Sequence, residues 1–236
     1  MATTSPLLLI LGAGPNIGAH VARAFAAERY RVATTSRARQ STPRNDGQLH
    51  ITSDLSDPSA VSKTFAEVRK SFGEPNVVVY NAAANTAIDE KNPATLPYSA
   101  LSKDLAINTL SVLAAAEEAV KGFRELPKDV SKAFIYTGNM LNIYPIPGLL
   151  SNGVGKAATA HLIATMASAY RDEGFNFYYA DERKADGAPA YAAVDGDAHA
   201  RMYLQLAEGK ESVPWHATFV ESIGYKEFSS DARSKV

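Results

Sequence analysis

A continuous apolar run, Leu7–Leu11, passes directly into Gly12-Ala-Gly14-Pro-Asn16-Ile-Gly18, and helical spacing (Ile17, Val21, Ala24, Phe25) begins inside that glycine segment. An apolar run without alternation is a strand covered on both faces, as in a parallel sheet flanked by helices. The alternation begun there continues along the chain. Further strand-length runs fall at 31–35, 50–53, 76–80, 133–137 and 175–179, with a seventh at 217–220. Helix-period segments lie between them. One is capped by Asp57 with Pro58 at its first position and closes at Gly73; others cover 102–120, 155–171 and 198–207, the last ending at Gly209. Each parallel strand needs a right-handed crossover, so the pattern predicts an α/β chain: a doubly wound parallel sheet of about seven strands in a three-layer α/β/α arrangement. No linker, repeat or low-complexity tract interrupts it, so residues 1–236 read as one domain.

The glycine segment sits at the first strand-to-helix turn. Small residues there allow a tight turn, close approach of backbone to a pyrophosphate, and helix packing near the strand, while the helix N-terminus presents free N–H groups to the anion. Placed at that turn, the segment reads as the phosphate loop of a Rossmann-type dinucleotide site formed by Gly12, Gly14, Asn16, Ile17 and Gly18. The end of the second strand selects the dinucleotide. An acid there would bind the ribose 2′-hydroxyl of NAD, whereas this chain carries Thr34-Thr35-Ser36-Arg37, with Arg39 beyond and no acid nearby. Hydroxyls with a guanidinium suit a 2′-phosphate, so NADP(H) is expected and NAD(H) is less favoured.

Composition excludes several other classes. The net charge of −1 gives no global basic field for nucleic acid or an anionic membrane. The absence of cysteine removes disulfides, thiolate catalysis and cysteine-ligated metal. No His-x-x-x-His or Glu-x-x-x-His spacing suggests a metal site. The opening residues lack the basic region of a signal peptide and Leu7–Leu11 is too short to span a bilayer, which points to the cytoplasm.

Five motifs in order resemble the short-chain dehydrogenase/reductase superfamily, over nearly the whole chain. The glycine segment is similar to that family's Thr-Gly-x-x-x-Gly-x-Gly, with Asn16 where the middle glycine is usual. Asp54-Leu55 resembles the pair that contacts adenine, Asn81-Ala82-Ala83 the Asn-Ala-Gly beneath the cofactor, and Asn108 the asparagine that holds a water in the proton relay. Lys156 resembles the lysine of Tyr-x-x-x-Lys, which implies that it holds the nicotinamide ribose. The catalytic positions depart from the family. Asn152 stands at the tyrosine, Asn139 at the serine, and the Pro-Gly after the sixth strand is replaced by Tyr178-Tyr-Ala-Asp181-Glu182-Arg183-Lys184. An amide does not titrate, so it cannot relay a proton.

Three functions therefore stand open. The first is an NADP(H)-dependent oxidoreductase acting on a small carbonyl or conjugated alkene, with Asn139 and Asn152 polarising the substrate. Its proton would come from Tyr144 in the preceding loop, less readily from Tyr136, Tyr179 or Lys156, or, for an alkene, from water. The second is a non-redox isomerase or dehydratase using Asp181 or Glu182 as base, although those acids read more readily as a solvated loop of mixed charges. The third is a catalytically silent NADP(H)-binding regulator. An open cleft favours either enzyme and a filled one favours the regulator. Closely spaced alanines (Ala157, Ala160, Ala164, Ala167) on the helix bearing His161, together with the family resemblance, imply a homo-dimer or homo-tetramer.

Overall fold

A computed structural model describes residues 5–38, 48–210 and 212–228. Arg39 lies outside them. The chain forms strands β1 (Leu7–Leu11), β2 (Arg31–Ser36), β3 (Leu49–Thr52), β4 (Val77–Tyr80), β5 (Lys132–Thr137), β6 (Phe175–Arg183), β7 (His216–Val220) and β8 (Gly224–Tyr225). Its α-helices are α1 (Ile17–Ala27), α2 (Ser59–Phe72), α3 (Tyr98–Leu105), α4 (Ser111–Glu125), α5 (Leu150–Ala169) and α6 (Gly196–Glu208). The sheet order is β3-β2-β1-β4-β5-β6-β7-β8. All pairs are parallel except β7 with β8, so the expected seven strands are joined by a short antiparallel eighth. Two residues after a turn carry no periodicity from which that strand could be read.

The sheet separates two apolar layers. One side packs Leu7, Leu9, Tyr80, Phe134, Phe177 and Tyr179 against α2, α4 and α5. The other packs Leu8, Ile10, Val79, Ile135 and Tyr178 against α1 and α6. Alternate residues of one strand thus feed different layers, as the pleat requires. The strand order reverses between β1 and β4, and in open α/β sheets the crevice beyond the strand ends at such a reversal is where ligands bind. Gly12 follows β1 and Asn81 follows β4 at that crevice. Among the described residues no helix is long and apolar enough to cross a membrane.

Three local departures from the expected elements bear on the site. The helix over 102–120 is not continuous, because a π-helical turn, Ala106–Leu110, separates α3 from α4. Tyr80 donates to the Ile107 carbonyl at 2.6 Å and Thr159 Oγ1 to the Asn108 carbonyl at 2.6 Å, drawing both toward the sheet and α5. A widened turn satisfies these competing bonds. The second helix begins one residue late: Asp57 still accepts from Ser59 N at 2.9 Å, with Pro58 at the cap. Strand β6 runs four residues past the expected end at Tyr179, which places Asp181, Glu182 and Arg183 in the sheet. All three are buried, so the expectation of a solvated, mixed-charge loop is corrected. Each charge has a partner that a sequence scan cannot show.

Candidate active site

The glycine loop after β1 is fixed from both neighbouring strands. Gly12 N donates to Thr35 Oγ1 at 3.1 Å and Ala13 N to the Thr35 carbonyl at 2.7 Å, while Asn81 Nδ2 donates to the Gly12 carbonyl at 2.8 Å. Gly12 lies at φ +90°, and a Cβ there would fall 2.6 Å from Ala82 N and 2.7 Å from Ala82 Cβ. This position requires glycine for conformation and for space. A Cβ on Gly18 would meet Ala13 Cα at 2.7 Å, whereas one on Gly14 would meet nothing within 4 Å. The loop is therefore tight where it touches protein and open at Gly14. No side chain caps α1, so its first N–H groups stay available to an anion. Asn16 donates through Nδ2 to the Val194 carbonyl at 3.0 Å, tying the loop to the segment before α6.

At the end of β2, Ser36 Oγ donates to the Ala38 carbonyl at 3.1 Å and lies 3.2 Å from His50 Nε2; His50 Nδ1 lies 2.9 Å from Thr34 Oγ1. Arg37 is exposed. Asp54 is exposed too, and its hydrogen bonds from Ser56 hold its carboxyl below the usual range, with the Arg37 charge adding to the effect. Leu55 is buried and its carbonyl accepts from Ser111 Oγ at 2.7 Å.

A cavity of about 590 Å³ opens beside this loop, over the ends of β4, β5 and β6. Gly14, Asn81, Asn139, Lys156, Glu182 and His199 line it, with Met140, Leu141, Tyr144, Ile146, Leu149 and Tyr191 supplying much of the apolar wall. Lys156 is buried, donates from Nζ to the Thr137 carbonyl at 2.7 Å, and lies 4.5 Å from the centre of the Tyr136 ring. Burial pulls its ammonium down to about 7, against the opposing charge of Asp181. Asn139 Oδ1 accepts from Leu141 N at 3.0 Å, and among the described residues its Nδ2 has no partner.

Asn152 behaves differently from Asn139. Its Nδ2 donates to the Ala84 carbonyl at 3.0 Å and its Oδ1 is buried without a partner. Asn108, wholly buried, clamps the same residue: it accepts from Ala84 N and donates to the Ala84 carbonyl, both at 2.8 Å. Asn108 is spent on the Ala84 segment and Asn152 donates to it, so neither lines the cavity, whose polar wall includes Asn139 and Lys156. Tyr144, half-buried, lines the cavity from the loop after β5.

Tyr80, Tyr136 and Tyr179 stand in register across β4, β5 and β6, with ring centres 6.0 and 5.5 Å apart. Burial raises all three phenols. Tyr179 also donates to the Asn139 carbonyl at 2.7 Å, so it supports the turn at Gly138. Tyr136 and Tyr179 are thus floor residues, and neither offers a phenol that ionises near neutrality.

Sequence reasoning named Glu182 only as a possible base within a solvated loop and missed His199, yet both line the cavity wall. Glu182 Oε2 accepts from Asp195 N at 2.9 Å, and His199 Nδ1 lies 3.4 Å from the same oxygen. Burial raises Glu182 to about 7, assisted by the charges of Asp195, Glu221 and Asp181 and opposed by the Asp195 N–H. Burial lowers His199 to about 4. A signal for His199 was present: with Met202, Tyr203 and Leu206 it forms the core-facing stripe of α6.

Residues 12–178 match the family model described as enoyl-(acyl carrier protein) reductase. The chain is 43% identical over 239 residues to the short chain dehydrogenase/reductase dmxR12 of Cryptosporiopsis sp. (strain 8999), with 97% of each chain covered. It belongs to the short-chain dehydrogenase/reductase superfamily, a family of oxidoreductases. Among solved structures, a short-chain dehydrogenase from Streptomyces avermitilis superposes with a TM-score of 0.74 at 17% identity, covering 93% of this chain and 89% of that one. NADH-dependent reductase A1-R′ complexed with NAD gives 0.75 at 17% identity, covering 86% and 89%. At such identities these two structures support the fold alone.

Proposed function

We propose that the chain is an NADP(H)-dependent reductase of a small carbonyl or conjugated alkene, working without the family's tyrosine. One observation carries this reading: the cavity places the open side of Gly14, the free amide of Asn139 and the buried Lys156 around one apolar space. The residues fit a dinucleotide. Gly12, Gly14, Asn16, Ile17 and Gly18 would hold the pyrophosphate at the uncapped end of α1, and Ser36 with Arg37 the 2′-phosphate. Asp54 and Leu55 would flank the adenine, with Asn81, Ala82 and Lys156 at the nicotinamide end. When bound, the dinucleotide supplies the hydride.

The chain's own residues do the rest. Asn139 Nδ2 offers a hydrogen bond to the substrate oxygen, where negative charge grows during reduction. Lys156 keeps Nζ on the cavity wall with protons left to donate. The apolar residues exclude bulk water, which strengthens both interactions. Asn108 and Asn152 hold the Ala84 segment in place beside the site. The open cavity favours an enzyme over the silent regulator. Leu110, Leu113, Leu150 and Val154, exposed on neighbouring faces of α4 and α5 and the turn before α4, suit a homo-dimer or homo-tetramer contact.

Parallel titrations with NADPH and NADH test the reading, following cofactor fluorescence and thermal stability. A ligand that binds only the native state raises apparent stability with the logarithm of its concentration. NADPH is expected to bind and stabilise more strongly than NADH. Silence with both would refute the cofactor assignment.

A further inference from the structure

The short-chain family's chemistry needs a proton as well as a hydride, and this chain has no titrating group at the tyrosine position. The cavity wall supplies one elsewhere. Glu182 is the eighth residue of β6 and, by strand alternation after Tyr178 and Ala180, projects to the α1 and α6 side of the sheet. Its protein partners converge on one oxygen. Asp195 N bonds Oε2, and His199 Nδ1 approaches the same atom while bonding the Asp195 carbonyl at 2.8 Å. Oε1 has no partner among the described residues, and Glu182 lines the cavity. The carboxyl is held rigidly by one edge and is free at the other.

The charges around it favour the acid form. Asp195 precedes α6, Glu221 follows β7 and Asp181 adjoins it in β6, and all three are anionic neighbours. Of the cations nearby, Arg183 is bound to Asp181 and Lys156 to the Thr137 carbonyl. His199 is buried, which keeps its imidazole neutral. From α1, His20 faces Asp197 at 3.7 Å. No free cation therefore stabilises a Glu182 carboxylate among the described residues. Tyr144 competes for the role, but a phenol acting near neutrality requires a cation against its anion, and among the described residues none is paired with Tyr144.

We propose that Glu182 is the proton donor that replaces the missing tyrosine, an assignment that rests on the reductase reading above. The Oε1–H bond breaks as a new bond forms from that proton to the carbonyl oxygen, or to the α-carbon of a conjugated alkene. The neighbouring carbon receives the hydride, with a reduced nicotinamide dinucleotide as the two-electron reductant. The carboxylate left behind recovers its proton from water. In the reverse direction the same oxygen acts as the base.

The first test needs no turnover. In protein labelled with carboxyl-13C glutamate, one side-chain signal is expected to titrate near neutrality and to vanish in Glu182→Gln. If every glutamate titrates in the ordinary carboxylate range, the proposal is overturned. The second test uses NADPH with cinnamaldehyde and 9,10-phenanthrenequinone as probes. Glu182→Gln should keep NADPH affinity, lose roughly 10²–10⁴-fold in turnover, and lose the fall in rate expected of the parent above pH 7. Glu182→Asp should recover part of the rate, which a merely structural tie would not predict. Unchanged turnover and pH profile in Glu182→Gln would overturn the proposal, as would a loss of that pH limb in Tyr144→Phe alone. Failure of the parent to bind NADPH, or to turn over either probe with NADPH bound, would instead refute the reductase reading and the donor with it.

Discussion

Arg183→Met should be among the most destabilising single changes near the site. Asp181 is wholly buried and Arg183 nearly so; they sit two apart on the same face of β6. Arg183 Nε donates to Asp181 Oδ2 at 2.7 Å, Nη2 pairs with the same oxygen, and Nη1 reaches the Gly187 carbonyl at 3.2 Å. Asp181 Oδ1 already lacks a partner, and the remaining neighbour of Oδ2 is His216 Nε2 at 3.6 Å. Removing the guanidinium leaves a buried carboxylate without compensation, which costs about 3–5 kcal/mol. At roughly 2–4 °C per kcal/mol for a chain of this size, the melting temperature should fall by about 6–20 °C.

The control is the double variant Asp181→Leu/Arg183→Met. It removes both charges, and a buried ion pair replaced by apolar groups of similar volume is often close to neutral in stability. Thermal and urea unfolding of parent, both singles and the double, at pH 8 and at pH 5, form the assay. The double should recover most of the loss. The penalty of Arg183→Met should also shrink at pH 5, where the stranded carboxylate can take up a proton. A penalty below about 1 kcal/mol at both pH values would refute the reasoning, because it would mean that cavity water already solvates Asp181.

Three further outcomes follow from the cofactor and surface readings. Arg37→Ala should weaken NADPH roughly 10- to 150-fold, the worth of a charge-assisted hydrogen bond, and leave NADH unchanged; calorimetric titration with each checks it. Gly12→Val should abolish binding of either dinucleotide and lower the melting temperature, since its Cβ would fall 2.6 Å from Ala82 N in a backbone at φ +90°. Leu113→Lys, at a residue 45% exposed on α4, should shift the light-scattering mass toward the 25.2 kDa of one chain. Unchanged affinity, stability or mass would count against the respective reading.

The layers and the strand–helix alternation were legible because they rest on local patterns. Leu7–Leu11 has no polar residue, so it can only be a strand covered twice, and Gly73 and Gly209 end their helices in backbone that glycine adopts most easily. The tight glycine turn after β1 was legible for the same reason, since its constraints are set within a few residues. What stayed hidden depends on partners distant in sequence. Asp181, Glu182 and Arg183 look like solvated charges until Asp195, His199 and His216 arrive from α6 and β7. The π-helical turn at Asn108 is drawn open by Tyr80 and Thr159, from β4 and α5. Asn152 stands at the motif position of a substrate ligand, and its Nδ2 donates to the Ala84 carbonyl, 68 residues away in sequence.

The Glu182–His199 pair carries a consequence for stability that neither residue shows alone. In an unfolded chain at about pH 5.5, the carboxyl is ionised and the imidazole charged. In the fold, burial raises Glu182 to about 7 and lowers His199 to about 4, so both are neutral. Folding therefore moves one proton from imidazole to carboxyl, because two desolvated charges cost more than their attraction at 3.4 Å returns. The pH dependences oppose each other. Glu182 binds its proton more tightly in the fold, so its contribution is full below its unfolded value and is lost as pH rises through about 7. His199 binds its proton more weakly, so its contribution is present above its unfolded value and is lost as pH falls through about 4. Between them the parent shows little net slope. Each single variant should expose the other's slope: Glu182→Gln gains stability from pH 4 to 6.5, and His199→Gln loses it from pH 4.5 to 7. Each change should span about 1–3 kcal/mol, the lower figure where cavity water screens the carboxyl. The double variant should follow the parent's profile. Parallel profiles for all four proteins would show that the pair is not neutral in the fold, and that Glu182 has no proton to give at neutral pH.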